Sequence, residues 1–341
     1  MKRATNEGPS QLIKRAKPSH TSLQKANKNG SITRTSDLKA PIMLLSGHEG
    51  FVYACKFSPD GQHLASGSFD RSILLWHSFG DCDNHSILSG SKNAVLDLAW
   101  SGDGRSIYSA SSDHDVSTWD VHSGTRLKRH TGHTDVVNAI DAHRRGTELL
   151  CSGSDDTTIG LWDPRVKGAV DHYESGYSVT SVAFDSTGSQ IFSGGIDEKI
   201  KVWDIRKRAV VYEMTGHGDT ITSLALSPDG HSLLSNSMDS TMKTWNVQPF
   251  APENRLVATF SGVAHGGEQN LIKACWNKDG SRVASGSADR TVLVWETRRN
   301  SLIYKLPGHK GTVNCVDFHP EQPILASGST DKTLFLGELA I

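Results

Sequence analysis

Long apolar runs are missing from this 341-residue chain. No stretch approaches the roughly 18–20 apolar residues that cross a bilayer, so an integral membrane protein is not expected. The opening Met1-Lys2-Arg3-Ala4-Thr5-Asn6-Glu7 has charge but no apolar core behind it, so no secretory signal is expected. Cysteine is scarce: Cys55, Cys82, Cys151, Cys275 and Cys315 are scattered, odd in number and without a C-x-x-C pair. That argues against a disulfide framework or a zinc site and for a reducing compartment, with the thiols as small apolar fillers. The sequence has no G-x-x-x-x-G-K-[ST] phosphate loop, no H-E-x-x-H, and no G-x-G-x-x-G between a strand and a helix. Its 16 histidines fall mostly in Gly-His pairs or in loops at unrelated spacings, so neither a metal site nor a cofactor is expected. Sustained 3.6-residue apolar periods of helical length are lacking as well.

Net charge is also small, since 36 basic residues against 37 acidic ones leave −1. The balance hides an asymmetry. Residues 1–40 carry nine Lys/Arg against only Glu7 and Asp37, a net of +7, which leaves −8 for the remainder. The reading is a basic, disordered tail (1–40) on a mildly acidic body (41–341). Such a body is a poor general nucleic-acid binder, because affinity for phosphates comes from clustered Lys/Arg releasing counterions.

What the chain does have is internal repetition. An aspartate is followed six residues later by tryptophan at Asp70/Trp76, Asp113/Trp119, Asp156/Trp162, Asp197/Trp203, Asp239/Trp245 and Asp289/Trp295, and Asp331 has Gly337 in the tryptophan's place. Four residues before every one stands a serine: Ser66, Ser109, Ser152, Ser193, Ser235, Ser285 and Ser327. Seven serines in seven frames are not chance. Upstream lie Gly47-His48, Gly132-His133, Gly216-His217 and Gly308-His309, with Ala264-His265 as a variant. Between these markers run short β-rich segments such as Val52–Phe57, separated by tight-turn tetrapeptides such as Ser58-Pro59-Asp60-Gly61 and Ser227-Pro228-Asp229-Gly230. The chain reads as all-β.

A repeating unit of 40–45 residues running Gly-His, Ser, Asp and Trp-Asp resembles the WD40 repeat, from about residue 42 to 341. The resemblance implies a seven-bladed β-propeller, because sheets too small to bury two faces alone pack radially on their neighbours. It further implies that Ile42–Leu45 supplies the outer strand of the last blade and closes the ring.

Ser, His and Asp in one unit match the composition of a hydrolase triad. A nucleophile site, however, needs one exposed serine, an oxyanion hole and a cleft, whereas here the set recurs on strand positions. The family resemblance implies instead a buried network in which imidazole bridges Asp to Ser and Ser accepts from the indole N–H. On that reading the network is intact in His48/Ser66/Asp70/Trp76, His133/Ser152/Asp156/Trp162 and His217/Ser235/Asp239/Trp245. The sixth unit has it with His265 slightly displaced, the seventh keeps His309, Ser327 and Asp331 without the tryptophan, the second has Ser91 at the histidine position, and the fourth has no Gly-His. Catalytic residues are not expected.

The residue before each structural aspartate belongs on the rim carrying the second-to-third-strand loops. Phe69, Ile196 and Met238 are large apolar groups there, candidates for a protein interface; packing against neighbouring loops is the plain alternative. An insertion, Gln248-Pro249-Phe250-Ala251-Pro252-Glu253-Asn254-Arg255, is a second candidate with Phe250 as anchor, against a harmless surface insertion. In the tail, Lys14, Arg15 and Lys17 before Pro18 look like a basic nuclear-import signal; a solubilising extension or a weak RNA-contacting arm are the alternatives.

Irregular features narrow the resemblance within the family. Ala40-Pro41-Ile42-Met43-Leu44-Leu45-Ser46-Gly47-His48-Glu49-Gly50, Gly80-Asp81-Cys82-Asp83-Asn84, the Pro249–Pro252 insertion and Leu336-Gly337-Glu338 together look like the WD40 subunits of the spliceosome's U5 small nuclear ribonucleoprotein. The resemblance implies a non-catalytic nuclear scaffold in pre-mRNA splicing. Its expected partner is the large U5 scaffold protein, with the U5 GTPase and helicase in the same particle; direct RNA contact is not indicated. Trp162-Asp163-Pro164-Arg165 and Trp203-Asp204-Ile205-Arg206 support an alternative, since W-D-x-R is seen in substrate receptors of cullin-type ubiquitin ligases. Otherwise Arg165 and Arg206 are solvated charges.

Overall fold

The computed structural model describes residues 34–143 and 148–339. The import candidates Lys14, Arg15 and Lys17, and most of the basic tail, lie outside the described residues. Among the described residues there is no helix, and none long and apolar enough to cross a membrane.

The first five strands are β1 (Ile42–Ser46), β2 (Val52–Phe57), β3 (His63–Ser68), β4 (Ser72–His77) and β5 (Asn84–Ser89). The β2–β3 connection shows why the chain turns where it does. Asp60 Oδ1 accepts from the Ser58 hydroxyl at 2.5 Å and the Gln62 N–H at 3.0 Å, and Gly61 takes a φ of 72° that glycine adopts without strain. Strands β2 to β5 form a four-stranded antiparallel sheet in chain order, and five more sheets repeat that order. The seventh sheet combines Val313–Phe318, Ile324–Ser329 and Thr333–Glu338 with β1, which pairs antiparallel from Ile42↔Gly337 to Ser46↔Thr333. The ring is closed by the two ends of the body, and the fold is the seven-bladed, all-β propeller.

The core is divided among the junctions. Seven apolar clusters each draw on two neighbouring blades; Val95, Leu98 and Trp119 of the second blade, for example, pack on Ala54, Ile73 and Leu75 of the first. Inner strands are also stapled to the next blade by side-chain acceptors: Asp97 takes the Ile140 N–H at 3.1 Å, Asp141 that of Phe184 at 2.9 Å, and Asp317 that of Phe57 at 2.8 Å. An ion pair joins Lys273 before the sixth blade to Asp97 of the second. Buried junctions with satisfied polar staples make a rigid disc.

The packed body starts earlier than the expected boundary at residue 41. The Thr35 hydroxyl donates to Glu338 at 2.6 Å, the Asp37 N–H to Gln322 at 2.9 Å, and Leu38 is buried beside the first and seventh blades. Leu38, a lone apolar residue in a polar stretch, finds a pocket, and Glu338 supplies acceptors for backbone that would otherwise be solvated.

Candidate functional site

Three blades contain the full polar quartet. His48 Nδ1 lies 2.8 Å from Asp70 and Nε2 2.7 Å from Ser66 Oγ, which accepts the Trp76 indole N–H at 2.9 Å. The same three distances are 2.8, 2.7 and 2.8 Å for His133/Asp156, His133/Ser152 and Trp162/Ser152, and again for His217/Asp239, His217/Ser235 and Trp245/Ser235. With Asp accepting at Nδ1, the serine hydroxyl is left to donate to Nε2, the proton arrangement of a hydrolase triad. Each of these serines is nevertheless fully buried, so no substrate carbonyl reaches it. Burial holds His133 and His217 below the usual imidazole range. Burial alone would raise Asp156, yet hydrogen bonds from the Thr158 hydroxyl, the Thr134 N–H and His133 outweigh it and hold the carboxyl down to about 2; Asp239 is held at about 2 in the same way.

The aspartates do a second job. Oδ1 of Asp70, Asp156, Asp239 and Asp331 accepts the N–H two residues on, at 2.8 to 3.0 Å. The residue between them is left-handed in all seven blades, from Glu198 at φ 62° to Arg71 at φ 72°. Non-glycine residues there are strained, and the anchored carboxylate holds them.

The other blades solve the same problem differently, and one of them corrects the sequence reading. In the sixth, Ala264 stands where other units have glycine and gives its N–H to Ser287 at 3.0 Å; His265 is half-buried, and its buried Nε2 lacks a hydrogen-bond partner. Asp289 pairs instead with Lys305 at 2.7 Å, so His265 does not complete a quartet. In the fourth, buried Lys201 meets Asp197 at 2.7 Å, a cation in place of the missing imidazole. In the second, Trp119 donates to Ser109 at 2.9 Å while Asp113 accepts the Lys92 N–H at 2.8 Å. In the seventh, His309 keeps Asp331 at 3.0 Å and Ser327 at 2.9 Å, and Phe335 packs edge-on against its ring, centroids 4.7 Å apart. Phe335 reaches from two residues upstream the space that tryptophan fills elsewhere: Gly47 abuts the Trp76 indole, and Gly308 abuts Phe335.

The residues preceding the aspartates do share one rim. In every blade that residue donates its N–H to the loop entering the inner strand, as Phe69 to Phe51 at 2.8 Å and Ile196 to Ser178 at 3.3 Å. Phe69 and Ile196 are 57% and 50% exposed. Met238, expected beside them, is partly withdrawn from solvent, so the exposed apolar surface narrows to two places. The sequence reading missed their neighbours: Phe51 lies 6.1 Å from Phe69, ring to ring, and exposed Tyr177 stands in the loop against Ile196. Beside Phe51 opens a cleft of about 400 Å³ lined by Glu268, Arg290, Lys310 and Thr330.

On the opposite rim the insertion forms the third-to-fourth-strand loop of the fifth blade. Arg255 braces it, donating to Asn246 O at 3.1 Å and Gln248 O at 3.0 Å and stacking over Tyr212 at 4.1 Å, while Phe250 is 100% exposed at the tip. Arg165 folds back on its own Asp163, with contacts of 2.9 and 2.6 Å, and Arg206 is exposed. All five cysteines are buried free thiols, and burial pushes Cys82 up to about 11. The histidines are not all at unrelated places: His63, His77 and His85 come together on this rim.

The comparisons with known proteins agree with this geometry. The WD40 model, "WD domain, G-beta repeat", matches seven times, at residues 39–77, 82–120, 124–163, 168–204, 208–246, 254–296 and 300–336. The chain is 52% identical over 306 residues to the human "U5 small nuclear ribonucleoprotein 40 kDa protein", covering 90% of this chain and 86% of the relative. It is 50% identical over 307 residues to the Dictyostelium discoideum protein of the same name, with the same coverage. It is 46% identical over 328 residues to "Pre-mRNA-splicing factor cwf17" of Schizosaccharomyces pombe, covering 96% of each. Seven matched repeats on seven closed blades, together with relatives aligned over nearly their whole length, establish that the chain belongs to the WD40-repeat family, among the U5 small nuclear ribonucleoprotein 40 kDa proteins.

Proposed function

We propose that this chain is a non-catalytic protein–protein scaffold subunit of the U5 small nuclear ribonucleoprotein, working in pre-mRNA splicing in the nucleus. The observation that carries the reading is the 52% identity, spread over the whole propeller, to a protein named for that particle. The surface supports it. The quartet serines are sealed from substrate, whereas Phe51/Phe69 and Tyr177/Ile196 present aromatic and aliphatic anchors on one rim, and a braced loop presents Phe250 on the other. Interfaces concentrate binding energy in such residues. The first rim fits the large U5 scaffold protein as its partner, with the U5 GTPase and helicase in the same particle. The body outside the tail carries net negative charge, which favours protein over RNA as the direct contact.

The test is affinity purification of the tagged full chain from nuclear extract. U5 RNA with spliceosomal proteins is expected, and Phe69→Asp is expected to lose them while keeping the wild-type melting temperature. Recovery of a cullin adaptor that disappears on Arg165 and Arg206 substitution, without U5 RNA, would replace this reading by the ubiquitin-ligase one.

A further inference from the structure

We propose that His63, His77 and His85 form a three-imidazole site for a divalent d-block cation, zinc foremost, at the outer part of the first blade. The fold assembles it from three successive strands. His63 opens β3 and pairs directly with His77, the last residue of β4. The pairing of β4 with β5 then slips: Leu75 faces Ser86 but Trp76 faces Asn84, so His85 is the extra residue of a β-bulge. A bulge re-aims the side chain it carries. Here it turns the third imidazole towards the other two, with ring centroids 5.5, 4.8 and 4.4 Å apart.

The nitrogens are close to ligand geometry. His85 Nε2 lies 3.1 Å from His63 Nδ1, and one nitrogen from each ring falls within 4.8 Å of the other two. Three Zn–N bonds of about 2.0–2.1 Å in a tetrahedron place the nitrogens roughly 3.3 Å apart. One edge is already near that length, and His77 and His85, both exposed, have the freedom to shorten the others. Burial holds His63 and His85 below the usual imidazole range, favouring the neutral form that binds metal. The fourth position faces solvent and takes water, so the site ties β3, β4 and β5 together.

The sister blades show that the fold does not require histidine there. Five of them carry the same bulge beside the third strand, and the extra residue is Leu127, Val170, Val211, Val257 or Ile303, each exposed. None of the five has histidine at the positions equivalent to His63 and His77. Only the bulge residue is apolar in the sister blades. His63 and His77 stand where most sisters have polar or charged pairs such as Ser106/Asp120, Gln190/Asp204, Ser232/Asn246 and Arg282/Glu296, and in this one blade all three positions are histidine.

The experiment uses the full chain without a histidine tag, stripped with chelator and titrated with Zn²⁺ by calorimetry, then with Co²⁺ by visible absorption. One equivalent, tetrahedral cobalt bands and a higher melting temperature with metal are expected. His85→Val installs the residue of three sister bulges, and His77→Asn the residue that Asn246 supplies in the fifth blade. Both variants are expected to fold and to lose the saturable equivalent. Absence of saturable binding to the wild-type chain, or one equivalent that survives in the folded variants, overturns the proposal.

Discussion

Asp156→Ala isolates the energetic role of a quartet. The carboxylate accepts from His133 Nδ1 at 2.8 Å, the Thr134 N–H at 2.9 Å, the Thr158 N–H at 2.9 Å and the Thr158 hydroxyl at 2.7 Å. Alanine takes the carboxylate from the buried His133 donor and leaves it only the longer Thr158 hydroxyl contact at 3.2 Å, costing about 1–3 kcal/mol, and removes three further bonds to an ionised group. The total comes to about 3 kcal/mol. Asp113 is the built-in comparison, since it sits at the same turn but accepts only backbone donors, Lys92 N–H at 2.8 Å and Asp115 N–H at 3.3 Å. Its loss costs about 1 kcal/mol. At about 2 °C per kcal/mol for a body of this size, Asp156→Ala should melt roughly 4 °C below Asp113→Ala in a fluorescence thermal scan at neutral pH. Equal shifts, or a larger one for Asp113→Ala, would refute the view that the imidazole-bridged carboxylates hold the blades.

Other expectations follow from the same geometry. Thr157 is β-branched and left-handed at φ 68°; Thr157→Gly relieves about 1–2 kcal/mol of strain against a smaller unfolded-state entropy gain, so its melting temperature should rise, and a fall would contradict the strain argument. Acid should destabilise in two stages. Buried His133 and His217 resist protonation when folded, so their stability is complete above an unfolded value of 6.5 and is lost as pH falls below it. Asp156 and Asp239, at about 2 against 3.8 unfolded, contribute stability above pH 3.8 that is lost as pH falls towards 2. Melting temperature measured from pH 8 to 4 should therefore be flat at first and then decline; a rise between pH 7 and 5 would contradict the sign.

The repeated residues were legible because each lies at a fixed offset from the next: Ser66 to Asp70 to Trp76 is one hairpin, and the same hairpin recurs seven times. Ring closure was legible for the same reason, since Ile42–Leu45 precedes the first unit and the last ends a strand short. What escaped are contacts that break the offset. Phe335 fills the seventh indole space from a different strand position. Lys201, four residues along the chain from Asp197, and Lys305, reaching Asp289 from the adjacent outer strand, replace imidazoles with long flexible side chains. His63, His77 and His85 look unrelated along the chain because two turns and a bulge separate them. Phe51 was overlooked because its exposure depends on the neighbouring loop.

The central claim is that the rim carrying Phe51 and Phe69 is covered by a protein partner. Lysine footprinting in the purified ribonucleoprotein, against the free chain, tests it directly. Lys92, Lys310 and Lys332 are exposed in the loops flanking that rim. The account predicts that their reactivity drops in the particle. Unchanged reactivity at all three would show that rim to be bare and contradict the account.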